Sequence, residues 1–373
     1  MIYIHTRKNF IDLFSKNSYV LCKFHVSFST SRKKQPMNIP KTFDFLLQKH
    51  HFSPETVSKV ASVLPHLKNT QKCDSILSFL KESGFSNVQL EKVVKHTPRF
   101  LAASLERKIK PKVKIFQDLG YSAGELADLI SKDPWILHRG VGKMVCALSV
   151  LKGLMRSNAE VAKLLQISGW FLTRDLTKTL VPNVKLLESC DIPLERIVNI
   201  MYLFPRFLLN EPEVMRKSVN KADEMGVCRG CKMYIHAVRV ISSMTDKTWE
   251  MKLKAFRDMG FSEDDILRAF RQAPPVFIIS VKKMMKIKEI VLATGKYDIS
   301  YIAKNPTFLC RSIEKWHKPR LQVLEVLERK KLITDWPAFT TMFKMSEKKF
   351  FEKFVGPYID ELGDVYLAKN AVK

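Results

Sequence analysis

Apolar residues recur along this chain at helical spacing, in short runs separated by turn signals. Val113, Ile115, Phe116 and Leu119 mark one helix face, as do Val184, Leu186 and Leu187. A second run follows each first one, as in Val88, Leu90, Val93 and Val94, or Leu126, Leu129 and Ile130. Between the two runs stands a glycine (Gly84, Gly120, Gly226 or Gly260), the residue that most readily takes the left-handed conformation ending a helix. The pattern predicts helical hairpins.

The hairpins repeat. Pro98-Arg99-Phe100-Leu101, Pro134-Trp135-Ile136-Leu137, Gly169-Trp170-Phe171-Leu172, Pro205-Arg206-Phe207-Leu208, Pro274-Pro275-Val276-Phe277-Ile278 and Pro306-Thr307-Phe308-Leu309 anchor successive units. The gap between 205 and 274 is close to two periods and places a missing anchor at Val240, fourteen residues after Gly226. The intervals are then 36, 35, 36, 35, 34 and 32 residues. An apolar residue lies four before each anchor (Val94, Ile130, Leu165, Met201, Phe270, Ile302), and the anchor proline, which lacks an amide donor, stops the second helix there. Pro111, Pro182 and Pro319, thirteen beyond an anchor, suit the first turn of the next unit. Trp135 and Trp170 share the anchor motif with Phe100 and Phe207 and are expected in the core. A weaker unit around Phe43, Leu46, Leu47, Val57, Val60, Leu64 and Pro65 suits an N-terminal capping repeat. Residues 331–373, with Trp336, Phe339, Phe343, Phe350, Phe351 and Phe354, suit a C-terminal cap. The expected fold is an all-α solenoid, right- or left-handed, of about seven to eight repeats of ~35 residues, in one elongated domain over residues 36–330.

Charge gives these repeats a candidate function. The 373 residues carry 63 Lys+Arg against 37 Asp+Glu, a net charge of +26 that calls for an anionic partner. Counting from each anchor, position +9 is basic in five of seven units (Arg107, Lys143, Lys178, Lys283, Lys315) and position +12 in five (Lys110, Lys217, Lys252, Lys286, Lys318). Position +5 adds Arg139, Arg174 and Arg311. Offsets of +5, +9 and +12 share one face if the segment is helical, so stacked repeats would align them into a basic stripe matching a phosphate backbone.

Residues 1–35 stand apart. Arg7, Lys8, Lys16, Lys23, Arg32, Lys33 and Lys34 face the single acid Asp12, with Ser and Thr interspersed and no uninterrupted apolar core, which is the composition of an organelle transit peptide. No window of about 18 apolar residues free of charge marks a membrane span. The seven cysteines are scattered and odd in number, as reduced, packed thiols are. Cys228-Arg229-Gly230-Cys231 is a lone C-x-x-C with only His236 nearby, short of a zinc ligand set, and His50-His51 suits a helix cap better than a ligand pair. Phosphate-loop, nucleophile-elbow and H-E-x-x-H motifs are all missing from the sequence, so neither catalysis nor a metal or other cofactor is expected.

The repeat itself, an apolar residue, three residues, then Pro-x-Phe-Leu, as in Val94-Lys95-His96-Thr97-Pro98-Arg99-Phe100-Leu101 and Ile302-Ala303-Lys304-Asn305-Pro306-Thr307-Phe308-Leu309, resembles the mitochondrial transcription termination factor (mTERF) family over roughly residues 40–320. The resemblance is to a plant-type organellar member; the pentatricopeptide repeats, of similar length, lack this Gly-to-Pro spacing and anchor. It implies a left-handed superhelix with two antiparallel helices and a short third per unit. It also implies an organellar location and nucleic-acid binding, without a particular target; the expected protein is a monomer in the mitochondrion, or alternatively the chloroplast, that regulates transcription by binding double-stranded organellar DNA. Organellar RNA binding in intron splicing or ribosomal RNA maturation, and a scaffold recruiting an RNA-modifying protein partner, are the alternatives. Base-reading residues do not transfer with the repeat motif.

Overall fold

A computed structural model describes residues 40–67 and 69–362. They form helices with no strand among the described residues, and no described helix is long and apolar enough to cross a membrane. The transit-peptide segment lies outside the described residues. The chain forms two compact units: one runs up to Ser189 and includes Pro193–Pro212, and the other joins Cys190–Ile192 to the chain from Glu213 onward.

In the first unit each repeat is two helices followed by a short third. Thr70–Glu82 and Asn87–His96 precede the 3-10 helix Pro98–Ala102; Lys110–Asp118 and Ala123–Lys132 precede Pro134–His138. Val141–Leu154 and Asn158–Ile167 precede Trp170–Thr173, and Leu180–Glu188 and Leu194–Leu203 precede Phe207–Leu209. In the second unit Asp246–Met259, Glu263–Gln272 and Pro274–Ile278 repeat the pattern, as do Val281–Ala293, Ile299–Lys304 and Pro306–Cys310. Lys318–Arg329, Phe339–Lys344 and Glu347–Phe354 close it.

The hairpin turn is built from one short phrase. Gly84, Gly120 and Gly260 take φ of +98°, +90° and +100°. The next amide reaches back five residues, with Phe85 N–H donating to Leu80 O, Tyr121 to Phe116 O and Phe261 to Phe256 O, each at 3.1 Å. Those aromatics are buried, and the serine after each (Ser86, Ser122, Ser262) caps the second helix in a reciprocal box with Gln89, Glu125 or Asp265.

The apolar register holds throughout: Val94, Ile130, Leu165, Met201, Phe270 and Ile302 are fully buried. Phe100, Ile136, Phe171, Phe207, Phe277 and Phe308 are buried as well. Pro111 and Pro319 sit in the first turns of their helices, and Pro182 is the third residue of Leu180–Glu188. Val240 is a correction. It is buried, but inside the helix Tyr234–Ser242, and no short helix starts there. After Gly226 the chain runs through a loop to that single helix and then directly into Asp246–Met259, so the period survives in length while a turn, a helix and a short helix become a loop and one helix. Trp135 and Trp170 are a second correction: they are 61% and 36% exposed. The residues that fill the Phe100 position are Ile136 and Phe171, one later in the chain, which leaves each indole on the outer side of its short helix.

Successive repeats of the first unit abut through equivalent elements. Gln89 Nε2 donates to Asp128 at 2.7 Å, Gln166 Nε2 to Glu125 at 3.0 Å, and Tyr121 Oη to Ala162 O at 2.6 Å.

Candidate nucleic-acid interface

The basic register meets the structure at the start of each repeat's first helix. Ser104, Ser280 and Ser312, six beyond their anchors, are N-caps whose Oγ accepts the amides of Arg107, Lys283 and Lys315 at 3.2, 3.3 and 3.1 Å. Position +9 is thus the third residue of a capped turn. Arg107 and Lys315 lie in π-helical turns, Leu105–Ile109 and Ile313–His317, that lead into the first helix; Lys143 is third in Val141–Leu154, and Lys178 is in the turn before Leu180–Glu188. Position +5 lies earlier, in extended backbone just past the short helix, with ψ of 137° at Arg139, 160° at Arg174 and 157° at Arg311. The single helical face expected of +5, +9 and +12 therefore holds for +9 and +12 only.

Burial and pairing sort these cations. Arg107, Lys143, Lys178 and Lys315 are exposed and close no ion pair among the described residues, and the same is true of Lys217. Three of the +12 lysines are paired: Lys110 with Glu106 at 2.5 Å, Lys286 with Glu289 at 2.9 Å and Lys318 with Glu314 at 2.7 Å. Arg174 is exposed and lies 5.9 Å from the Trp170 ring; Arg311 is half-buried, 4.4 Å from the Trp316 ring, and burial lowers its pKa.

Lys252, Lys283 and Arg139 have a different task, which corrects their place on the stripe. The last carbonyls of a short helix have no intrahelical donor. In most repeats a polar side chain supplies one: Lys112 Nζ to Leu137 O, Asn183 Nδ2 to Leu208 O at 3.0 Å, Lys252 Nζ to Ile279 O and Lys283 Nζ to Cys310 O at 3.2 Å. Arg320 does the same for Met342 O and Met345 O, at 2.7 and 2.9 Å. The helix Trp170–Thr173 is served from the preceding repeat, by Arg139, whose guanidinium donates to Thr173 O and Arg174 O at 3.1 and 2.9 Å. Burial pushes the Lys112 ammonium down to about 8, with Lys108 adding to it, and burial also lowers Lys252 and Lys283. These cations are structural donors, Lys112 and Lys252 buried and Lys283 and Arg139 half-buried.

The mTERF family model matches residues 77–231 and again residues 221–351. The chain belongs to the mTERF family. No curated protein matches it. mTERF proteins are organellar helical-repeat proteins that bind nucleic acid. The two matches meet over residues 221–231, where this mTERF chain also departs from the three-helix pattern. Cys228 is exposed and Cys231 half-buried in the loop there, and Arg229 pairs with Asp223 at 2.5 Å. Among the described residues no group of three or more His, Cys, Asp or Glu is placed to hold a metal ion. His50 is buried with Nε2 2.8 Å from Asp74, a contact between the N-terminal capping unit and the helix Thr70–Glu82 of the next repeat. Cys73, Cys190 and Cys310 are buried thiols, as expected; Cys146 is exposed. The sequence carried a signal for the +9 column that its charge alone did not: a capping residue three positions earlier, Ser104, Asp175, Ser280 or Ser312, with Gly140 in the same place.

Proposed function

We propose that this mTERF protein regulates organellar gene expression by gripping the phosphates of double-stranded organellar DNA, and that it acts there in transcription termination or regulation. Arg107, Lys143 and Lys178 carry the grip in the first unit, and Lys217 and Lys315 in the second. One observation supports this reading above the others. A cation in the first turn of a helix faces the positive end of the macrodipole, which costs about 0.3–1 kcal/mol. Four repeats nonetheless place an exposed, unpaired Arg or Lys at or just ahead of that turn. An anion resolves the conflict, because the helix start and the cation both attract it. Arg174, Lys110, Lys286, Arg311 and Lys318 are proposed as a flanking set whose carboxylate or ring partners exchange for phosphate.

The protein is proposed to act as a monomer in the mitochondrion, with the chloroplast as the other organelle this composition fits. Changing Arg107, Lys143 and Lys178 together to Glu is expected to weaken duplex binding similarly for every sequence. The slope of log K against log salt should fall by roughly one unit for each phosphate no longer neutralised. Thermal unfolding should not be lowered, because the substitutions remove cations from the helix starts and reduce the net positive charge. An unaltered affinity and salt slope would overturn the reading. Sequencing DNA and RNA crosslinked to the tagged protein in isolated organelles separates its forms: a sharp DNA footprint supports transcriptional control, whereas one intron or ribosomal RNA replaces it with RNA processing. A diffuse signal replaces it with the scaffold reading.

A further inference from the structure

The short helices of the first unit present a row that the phosphate grip does not use. The residue one beyond the anchor is Arg99, Trp135, Trp170 and Arg206 in four successive repeats, and all four are exposed. The Arg206 guanidinium lies over the Trp170 ring at 4.5 Å, with Arg174 on the same indole at 5.9 Å. Trp135 lies 5.8 Å from the His138 ring, and Arg99 is near enough to His138 to help lower its pKa, after burial and Lys112. Side chains from four repeats thus follow one another as cation, ring, ring, cation.

Gly169 draws the middle of the row together. It replaces the anchor proline, and two contacts require the change. Its N–H donates to Asp133 Oδ2 at 2.9 Å, which proline cannot do. A Cβ on it would meet Asp133 Oδ2 at 2.8 Å and Ile136 Cδ1 at 2.9 Å. The helix carrying Trp170 is thereby seated directly against the helix carrying Trp135.

We propose that this row is a stacking platform for the unpaired bases of a single-stranded nucleic acid. This rests on the function proposed above and adds a ligand class to it. Exposed rings flanked by guanidinium groups have the composition of sequence-tolerant single-strand sites, where bases stack on the rings and on the Arg planes while cations hold the backbone. A duplex does not fit the row. Its bases stand 3.4 Å apart within each strand with their faces covered, whereas the axes of packed helices are about 8–10 Å apart. Only a strand whose bases have left the stack can offer a face to each ring in turn.

The test is fluorescence anisotropy of the full chain with labelled oligo(U), oligo(dT) and a duplex of equal length. Trp135→Ala/Trp170→Ala is expected to weaken both single strands by about tenfold or more while duplex affinity stays within about twofold. Trp135→Phe/Trp170→Phe should restore most of the single-strand affinity. Because both indoles are exposed, the fold should persist, and Trp135→Ala alone, which leaves both Arg–indole pairs intact, should show part of the loss at an unchanged melting temperature. Unchanged single-strand binding, or equal losses on single strands and duplex, would overturn the platform. Loss on oligo(U) alone would also overturn it, because stacking does not sense the 2′-hydroxyl. If the unaltered protein binds none of the three, the nucleic-acid reading itself fails, independently of the tryptophans.

Discussion

Lys252 and Lys143 belong to the same basic register in the sequence and have opposite surroundings in the folded chain. Lys252 is 6% exposed with its ammonium on the Ile279 carbonyl, whereas Lys143 is exposed and pairs with no carboxylate among the described residues. Lys252→Ala is expected to lower unfolding stability by about 1–3 kcal/mol in a denaturant melt, since it leaves a buried carbonyl without its donor and removes the packing of the lysine stem. Lys143→Ala should stay within about 0.5 kcal/mol and instead reduce nucleic-acid affinity and its salt slope. The reverse pattern would mean that burial does not decide which lysines bind. Charge and spacing in the sequence could not separate the two, because the separating hydrogen bond lies 27 residues along the chain. The outward indoles escape the sequence pattern for a more local reason. Aligning Trp135 with its neighbours' aromatics ignores that Ile136 already fills the inward position, and on a short helix a shift of one residue turns a side chain from core to surface.

At the scale of elements, the glycine turns show how much a pattern reveals and where it stops. Gly84 and Gly120 share a left-handed φ, and from sequence they are equivalent. In the fold a Cβ on Gly84 would sit 2.6 Å from Ala123 Cβ, at the start of the next repeat's second helix, whereas one on Gly120 would meet nothing within 4 Å. Gly120→Ala is expected to cost about 1 kcal/mol, the strain of the left-handed backbone alone. Gly84→Ala should cost about 1–3 kcal/mol more, because two packed repeats must separate. Equal costs in paired denaturant melts would show that the repeats yield freely at this point. Helix number, hairpin turns and buried anchors were legible because each rests on neighbours within a few residues. The helix around Val240 was not, because the spacing fixes how much chain lies between anchors and not how that chain is folded.

For the whole molecule the governing quantity is its charge. With 63 basic against 37 acidic residues, and with several lysines held inside by carbonyls, the folded chain confines more positive charge than its carboxylates neutralise. Self-repulsion of this kind is screened over about 10 Å at 0.1 M salt and about 3 Å at 1 M. The melting temperature is therefore expected to rise as sodium chloride increases from low to moderate concentration, and to rise further when a polyanion binds the folded state. A melting temperature that falls with salt would mean that the surface ion pairs, such as Lys110 with Glu106, outweigh the repulsion.

The capped short helices also bear on how this chain acquires its fold. Each hairpin turn closes within six residues, and each terminal carbonyl meets its donor within about 35. A repeat can therefore complete its own hydrogen bonds once little more than its own length, plus the start of the next, has become free to move. Topologies dominated by such local closure fold fast, with rates set by short loops. A chain of this design can fold progressively from one end as it emerges from a narrow passage, with each finished repeat serving as the template on which the next is laid down.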